Sequence, residues 1–481
     1  MVFNSYIFIL AFLPIVIIGY YLVGQIKLPR LKHSYLLLVS IVFYGYSSIQ
    51  CLILLLIDIL INYFIYLCIR KSQSENETRK KFILILGISL NLALLFYFKY
   101  YNFFIDNMNV LFKANLGIRN IVLPLGISFI TFQQIAFLTD TYHKETADCS
   151  LLEYALFVLF FPHITSGPII LHNDFMPWLN KHREKMNWEQ FASGIYMFAM
   201  GLGKKVLIAD MFAGAVNWGY GNVAALNSTS ALFVSFAYCI QIYFDFSGYS
   251  DMAIGISRML QMDLPVNFNS PYKAVTILEF WDRWHMTLTR FLGKYLYIPL
   301  GGNRKGKLRT YLNIMIVFLC SGLWHGASWT FILWGTLHGS FMILTKHFKK
   351  YVDKVPKIVS RIITLLFVNF CWILFRANSM ENFRQMMKSI FQGNWGMLHE
   401  DLCGFFEISV LKYFPGLTLP YWLCAVTILI AGFWITLSCK NVQEKAENLK
   451  YSVASCIWTA IVVVFSILSL SGVSTYIYAY F

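Results

Sequence analysis

Charge is what this chain has least of: Asp, Glu, Lys and Arg together make up 13% of its 481 residues, where soluble domains carry about a quarter. Hydrophobic residues reach 58%, a surplus of apolar surface that calls for lipid as solvent. Acidic residues are the scarcer sign, 24 against 39 basic, for a net charge of +15. In a membrane protein such an excess collects in cytoplasmic loops beside anionic lipid, so membrane lipids are the implied partner and nucleic acid is not. Ten cysteines occur without a C-x-x-C pair or regular spacing, mostly within apolar runs. They read as small core residues, with a disulfide from Cys403 as the open alternative. No P-loop, H-E-x-x-H, G-x-S-x-G or dinucleotide glycine fingerprint occurs, and no metal site is expected. The absence of an internal repeat counts against a transporter built from inverted repeats.

Apolar segments lie near 6–24, 35–48, 50–69, 82–98, 121–138, 151–170, 191–214, 229–247, 311–324, 327–345, 358–375, 420–438 and 452–473. They predict an all-α, polytopic transmembrane bundle of about 10–13 spanning or re-entrant helices, forming a single domain over 1–481. The shorter runs cover only about 21 Å as helix, which makes some of them half-membrane or re-entrant. Irregular backbone at membrane depth survives only inside protein or beside a water-filled space, so a central cavity or tunnel is expected. Met1–Gly24 has no Lys or Arg ahead of its apolar stretch and no small-residue cleavage pattern, and is expected to remain as a first helix. Basic clusters at Lys27, Arg30 and Lys32, at Arg70, Lys71 and Arg79 to Lys81, at Arg304, Lys305, Lys307 and Arg309, at Lys346, Lys349, Lys350 and Lys354, and at Lys440, Lys445 and Lys450 mark cytoplasmic loops. Both termini and the more neutral stretch 377–419 then face outward. Lys204 and Lys205 sit inside an apolar run, where they line a cavity or mark a break.

Ionisable groups are costly in a bilayer, so those embedded in apolar runs are functional candidates. His325 lies in Cys320-Ser321-Gly322-Leu323-Trp324-His325-Gly326-Ala327-Ser328-Trp329, at the junction of two apolar arms. Each arm is about 23 to 30 Å of helix, so this turn lies well inside the membrane or just across it from the basic loops, and is reached from outside only through a cavity. Gly322 and Gly326 permit close approach of backbone or substrate. Position alone leaves catalysis and helix packing equally open for His325. His285 lies in Glu279-Phe280-Trp281-Asp282-Arg283-Trp284-His285, read as an aromatic, charged helix entering the next apolar run. Position alone favours an interfacial anchor there, with Arg283 paired to Asp282 or to lipid headgroups. Asp245 and Asp251 either orient a histidine or hold helices together, and the second is favoured. Pro162, Gly167 and Pro168 break a helix near a cavity. The H-x4-D spacing of His143 and Asp148 is taken as chance, and His338 and His347 as helix-surface residues.

Several strings occur in an order that resembles the membrane-bound O-acyltransferase family, in its alginate and peptidoglycan O-acetylation branch. They are Met1 to Ser5, Leu123 to Phe129, Phe161-Pro162-His163 through Gly167-Pro168, Gly201 to Lys205 with Asp210, the Asp245 string, Phe280 to His285, Tyr295 to Gly302 with Asn303-Arg304, and Gly322 to Gly326. The resemblance runs over essentially the whole chain and is densest over 121–340. It implies that His325 is the catalytic histidine and His285 the second functional one. By the same resemblance Arg283, Trp284, Trp324, Gly326, Asp245, Asn303 and Arg304 contact substrate. Asp282 stands where relatives often have Arg.

The resemblance further implies a multi-pass protein of the cell (inner, cytoplasmic) membrane with no permanently bound cofactor. Cytoplasmic acetyl-CoA is the implied acyl donor. The acceptor hydroxyl belongs to an extracytoplasmic polysaccharide or to an acetyltransferase or esterase-like partner. Arg304, Lys305, Lys307 and Arg309 either attract the phosphates of an acyl-CoA or face the membrane surface. A neutral imidazole, with a reference pKa near 6.5, accepts a proton from an attacking hydroxyl, a step worth about 10² to 10⁴ in rate. Whether His325 is such a base or carries the acyl group covalently stays open. The rival within the family is D-alanyl transfer to teichoic acids from a carrier-protein thioester, and the rival of another class is a transporter or flippase.

Overall fold

Backbone polar groups in lipid have to bond within their own segment, so apolar runs of this length fold as helices. The structure, a computed structural model, describes residues 1–26, 28–72, 77–179, 186–407, 420–470 and 476–477. Lys27 and the part 408–419 of the neutral stretch lie outside the described residues. Among the described residues there is no strand. The first principal helices are α1 (Phe8–Gly24), α2 (Pro29–Gly45), α3 (Ile49–Lys71), α4 (Glu77–Phe112), α5 (Ile127–Tyr142), α6 (Leu151–Leu159), α7 (His172–Leu179), α8 (Trp188–Gly221) and α9 (Ser228–Met259). There follow α10 (Ile277–Arg283), α11 (Met286–Leu292), α12 (Gly306–His325), α13 (Trp329–His347), α14 (Lys357–Arg376), α15 (Met380–Phe391), α16 (Tyr421–Ser438) and α17 (Val453–Leu468).

Six of these, α3, α4, α8, α9, α14 and α16, are long and apolar enough to cross a membrane. The chain is therefore a multi-pass membrane protein built as a helical bundle. Burial separates their positions: the most apolar window of α9 is 89% buried and that of α4 only 17%. α9 is thus the central post, and α4 presents most of its surface to lipid. α8 packs more extensively on α9 than any other pair of helices. Paired glycines explain the closeness, because a Cβ at Gly201 would lie 2.6 Å from the Gly248 carbonyl oxygen and one at Gly194 2.7 Å from that of Gly255. Small residues that bring backbones together are a characteristic means of helix association in membranes.

α12 and α13 form an antiparallel hairpin in which Gly322 fits against the Phe331 carbonyl and Gly335 against that of Phe318. Lys307 and Arg309 lie at its open end with Lys346, and His325 sits at the closed end.

The structure departs from the sequence reading at several places. The helix expected over 151–170 stops at Leu159, and residues 160–171 run as buried irregular backbone. Its polar groups are met by side chains: Phe161 N–H donates to Ser40 Oγ (3.2 Å), Ile169 N–H to Thr287 Oγ1 (3.0 Å), and Gln133 Nε2 to the Ile170 carbonyl (3.3 Å). The break at Pro162, Gly167 and Pro168 is thus sealed by protein. The helix expected over 229–247 continues to Met259 and carries Asp245 and Asp251 within it. All ten cysteines are free, so Cys403 has no disulfide, and Cys320 and Cys456 are exposed instead of lying in the core.

Candidate active site

His285 is not inside a continuous helix. α10 ends at Arg283, and His285 adopts φ +47°, a left-handed conformation, as the residue that starts α11. Such a backbone is costly for a non-glycine residue and persists only where surroundings hold it. Asn267 does the holding. Its carbonyl oxygen accepts the Met286 N–H (3.0 Å), and its side-chain Oδ1 accepts the Thr287 hydroxyl (2.9 Å) and the Thr287 N–H (3.3 Å). The same Oδ1 lies 3.1 Å from His285 Nδ1. An oxygen that accepts from Thr287 assigns the proton to Nδ1, which makes Nε2 the basic nitrogen of a neutral ring. His285 is fully buried, its ring edge-on to Phe246 at 4.9 Å and 6.0 Å from Trp324.

Trp324 links the two histidines. Its indole stacks on Phe132 (5.4 Å) and lies 4.9 Å from the His325 ring, centroid to centroid. Beyond His325 come Trp334 (5.1 Å) and Phe375 (5.2 Å), and beyond Trp334 comes His338 (4.6 Å). His338 is buried and its Nδ1 receives the Trp281 indole N–H at 3.3 Å, so the surface placement expected for it is corrected. Three histidines therefore lie along one buried aromatic seam assembled from α10, α11, α12, α13 and α14.

The seam is closed. His325 is 1% exposed, and a cleft of about 930 Å³ lined by Trp218, Met397, Glu400, Tyr421 and Trp422 has none of the three histidines in its wall. At the hairpin turn the rings of Trp324, Trp334 and Phe375 pack around the His325 imidazole. Gly326, expected beside substrate, is covered by the Phe331 ring.

The other candidates fall in different places. Trp284 is buried in the core, 4.9 Å from Trp372 and stacked on Phe280 at 5.7 Å. Arg283 pairs with Glu279 at 2.8 Å, one helical turn back, instead of with Asp282. Asp245 accepts from Lys205 Nζ (2.6 Å) and from the Ile477 N–H (2.9 Å), and so joins helices instead of orienting an imidazole. Lys205 also reaches Asp210 (2.8 Å), and Lys204 pairs with Asp251 (2.6 Å). Asn303 and Arg304 are exposed just before α12, a helix length of about 30 Å from His325. Among the described residues no three His, Cys, Asp or Glu side chains converge as a metal ion requires.

Sequence reasoning missed two contributors. Asn267 carries no local sign of its role, since its partners are 18 and 20 residues away. Lys99 was visible as a cation closing the apolar run 82–98. Its Nζ donates to the Trp324 carbonyl (2.5 Å) and to Ser128 Oγ (2.9 Å), directly behind the catalytic candidate.

Comparison with known proteins bears out the family resemblance. MBOAT, the membrane-bound O-acyltransferase family, matches residues 83–383, which holds all three histidines. A peptidoglycan O-acetyltransferase of Helicobacter pylori is 41% identical over 421 residues, 81% of this chain and 80% of that protein. A probable alginate O-acetylase of Pseudomonas aeruginosa is 37% identical over 406 residues, covering 82% and 76% of the two chains. A teichoic acid D-alanyltransferase of Bacillus subtilis is 28% identical over 280 residues, covering 53% of this chain and 69% of its own.

Proposed function

The chain belongs to the membrane-bound O-acyltransferase family, and we propose that it moves an acetyl group from cytoplasmic acetyl-CoA to a hydroxyl of an extracytoplasmic polysaccharide, directly or by way of a secreted or periplasmic partner. Its place in this reading is the inner (cytoplasmic) membrane. The observation that carries the proposal is the seam itself. Two buried imidazoles flank one indole at the closed end of a hairpin whose open end is basic.

In this reading His325 acts as general base. It accepts the proton of the attacking hydroxyl as the oxygen bonds to the thioester carbonyl carbon. The C–S bond then breaks, and the imidazolium returns the proton to the departing CoA thiolate. His285, held through Nδ1 by Asn267 and lying 6.0 Å from the same indole, positions the reacting groups. A thioester reaches His325 only when Trp324, Trp334 or Phe375 turns aside, so binding of the donor and opening of the seam are one event. The acetyl reading is favoured over D-alanyl transfer because the acetyl-transferring relatives match about four-fifths of the chain and the D-alanyl relative about half.

The test is radiolabelled acetyl-CoA with purified protein in detergent, comparing His325→Ala with the parent. CoA release by the parent and its loss in the variant support the proposal. Release by neither, together with turnover of a D-alanyl carrier-protein thioester, transfers the assignment to the rival substrate.

A further inference from the structure

The hairpin turn that carries His325 ends a helix, and a helix end leaves carbonyls without intrahelical donors. In α12 two successive carbonyls of the last turn, Leu323 and Trp324, are met from outside by two successive residues of α4. Tyr100 hydroxyl donates to the Leu323 carbonyl at 2.7 Å and Lys99 Nζ to the Trp324 carbonyl at 2.5 Å. Lys99 and Tyr100 end the π-helical segment Phe96–Tyr100. An extra residue per turn of this kind changes the direction of successive side chains, and such bulges recur at functional sites.

Each peptide unit is planar from one Cα to the next. Pinning the Leu323 carbonyl therefore fixes the plane that ends at the Trp324 Cα. Pinning the Trp324 carbonyl fixes the next plane, which ends at the His325 Cα. The two contacts together set the orientation of both residues on which the seam turns. Lys99 is suited to this position for a second reason: its terminal nitrogen carries more than one N–H and so serves two acceptors at once. Ser128 Oγ supplies a further acceptor at 2.9 Å, and the Trp324 indole N–H donates to the Ser128 carbonyl at 3.3 Å. Lys99, Ser128 and Trp324 thus close a triangle between α4, α5 and α12.

We propose that Lys99 and Tyr100 form a two-point clamp on the last turn of α12, with Lys99 as a positioning residue for His325. The two bonds that define the clamp are both made to backbone carbonyls, those of Leu323 and Trp324. It rests on the transfer reading above, and its test separates the two.

Purified full-length parent, Lys99→Met, Lys99→Arg and Tyr100→Phe are assayed for CoA release from acetyl-CoA, with kcat and KM resolved and thermal unfolding followed in detergent. Lys99→Met is expected to lower kcat about 10- to 100-fold, with KM for acetyl-CoA within about twofold of the parent, since small misplacement of a reacting group carries losses of that order. Lys99→Arg restores kcat to within about fivefold of the parent, because the N–H donors return. Tyr100→Phe, which deletes a single hydroxyl, lowers kcat about threefold to tenfold with KM unchanged. A parent that releases no CoA defeats the acetyl-CoA reading. An active parent with Lys99→Met or Tyr100→Phe at parental kcat overturns the clamp, and so does failure of Lys99→Arg to recover when Lys99→Met is folded and slow. Should Lys99→Met not fold, Tyr100→Phe and Lys99→Arg decide by the same criteria.

Discussion

Two buried polar clusters lie in this bundle, and they are built on opposite principles. Between α8 and α9, Lys204, Lys205, Asp210, Asp245 and Asp251 face one another at 2.6 to 2.8 Å, every charge beside one of the other sign. Along α10 to α14, His285, His325 and His338 sit among Trp and Phe rings, oriented by an amide oxygen, by backbone bonds and by an indole N–H. The first cluster expends its ionisable groups on each other. The second keeps its groups chemically available behind apolar walls. An ionisable residue inside a membrane is a candidate for function by its rarity alone, and this contrast shows what sorts the candidates: the partner it is given.

Substitutions can break or sharpen that contrast. His325→Ala is expected to lower CoA release about 10² to 10⁴-fold, the usual contribution of a positioned base, while thermal unfolding in detergent stays near the parental midpoint. Parental turnover in that variant would remove the chemical role assigned to the seam. Lys205→Met should do the reverse. It leaves the buried Asp245 and the half-buried Asp210 without their cation, a loss of about 3–5 kcal/mol that falls mainly on Asp245, to be seen as a lower unfolding midpoint and poor recovery of protein. A well-folded but inactive Lys205→Met would move the ion cluster into the catalytic machinery and erase the distinction.

Asn267→Ala sharpens the comparison from within the seam. It frees the His285 ring and strands the Thr287 hydroxyl and N–H, at about 1–3 kcal/mol for a buried unsatisfied group. Turnover is expected to fall about 10-fold with KM little changed; an unaltered kcat would show that the orientation of His285 is irrelevant. The smallest effect belongs to Arg304→Ala. The residue is exposed and a helix length from His325, so KM for acetyl-CoA is expected to rise by no more than about threefold, and less at high salt where surface charge is screened. A large loss of kcat would place substrate chemistry near the loop.

Much of the bundle was legible in the sequence. The hairpin of α12 and α13 follows from two apolar arms with basic residues at their far ends and glycines at the turn. The membrane setting follows from the shortage of charge. The overestimated helix over 151–170 shows the limit, because its hydropathy is continuous while Pro162 and Pro168 remove backbone donors. Side chains from α2, α5 and α11 then satisfy the irregular segment, and none of them is nearby in sequence. His338 was misread for a related reason: a histidine on an apolar helix looks the same whether it faces lipid, water or a Trp281 indole.

What the sequence determined by itself was local: which segments are helices, that they live in lipid, and that His325 stands at a turn. Partnership was left to the tertiary structure. Lys99 meets Trp324 across 225 residues and Lys205 meets Asp245 across 40. The physical reason is that apolar periodicity tells a helix to be buried without naming its neighbour. In a bilayer, where lipid is as apolar as the protein, neighbours are chosen by close glycine packing and by polar groups that have to find one another.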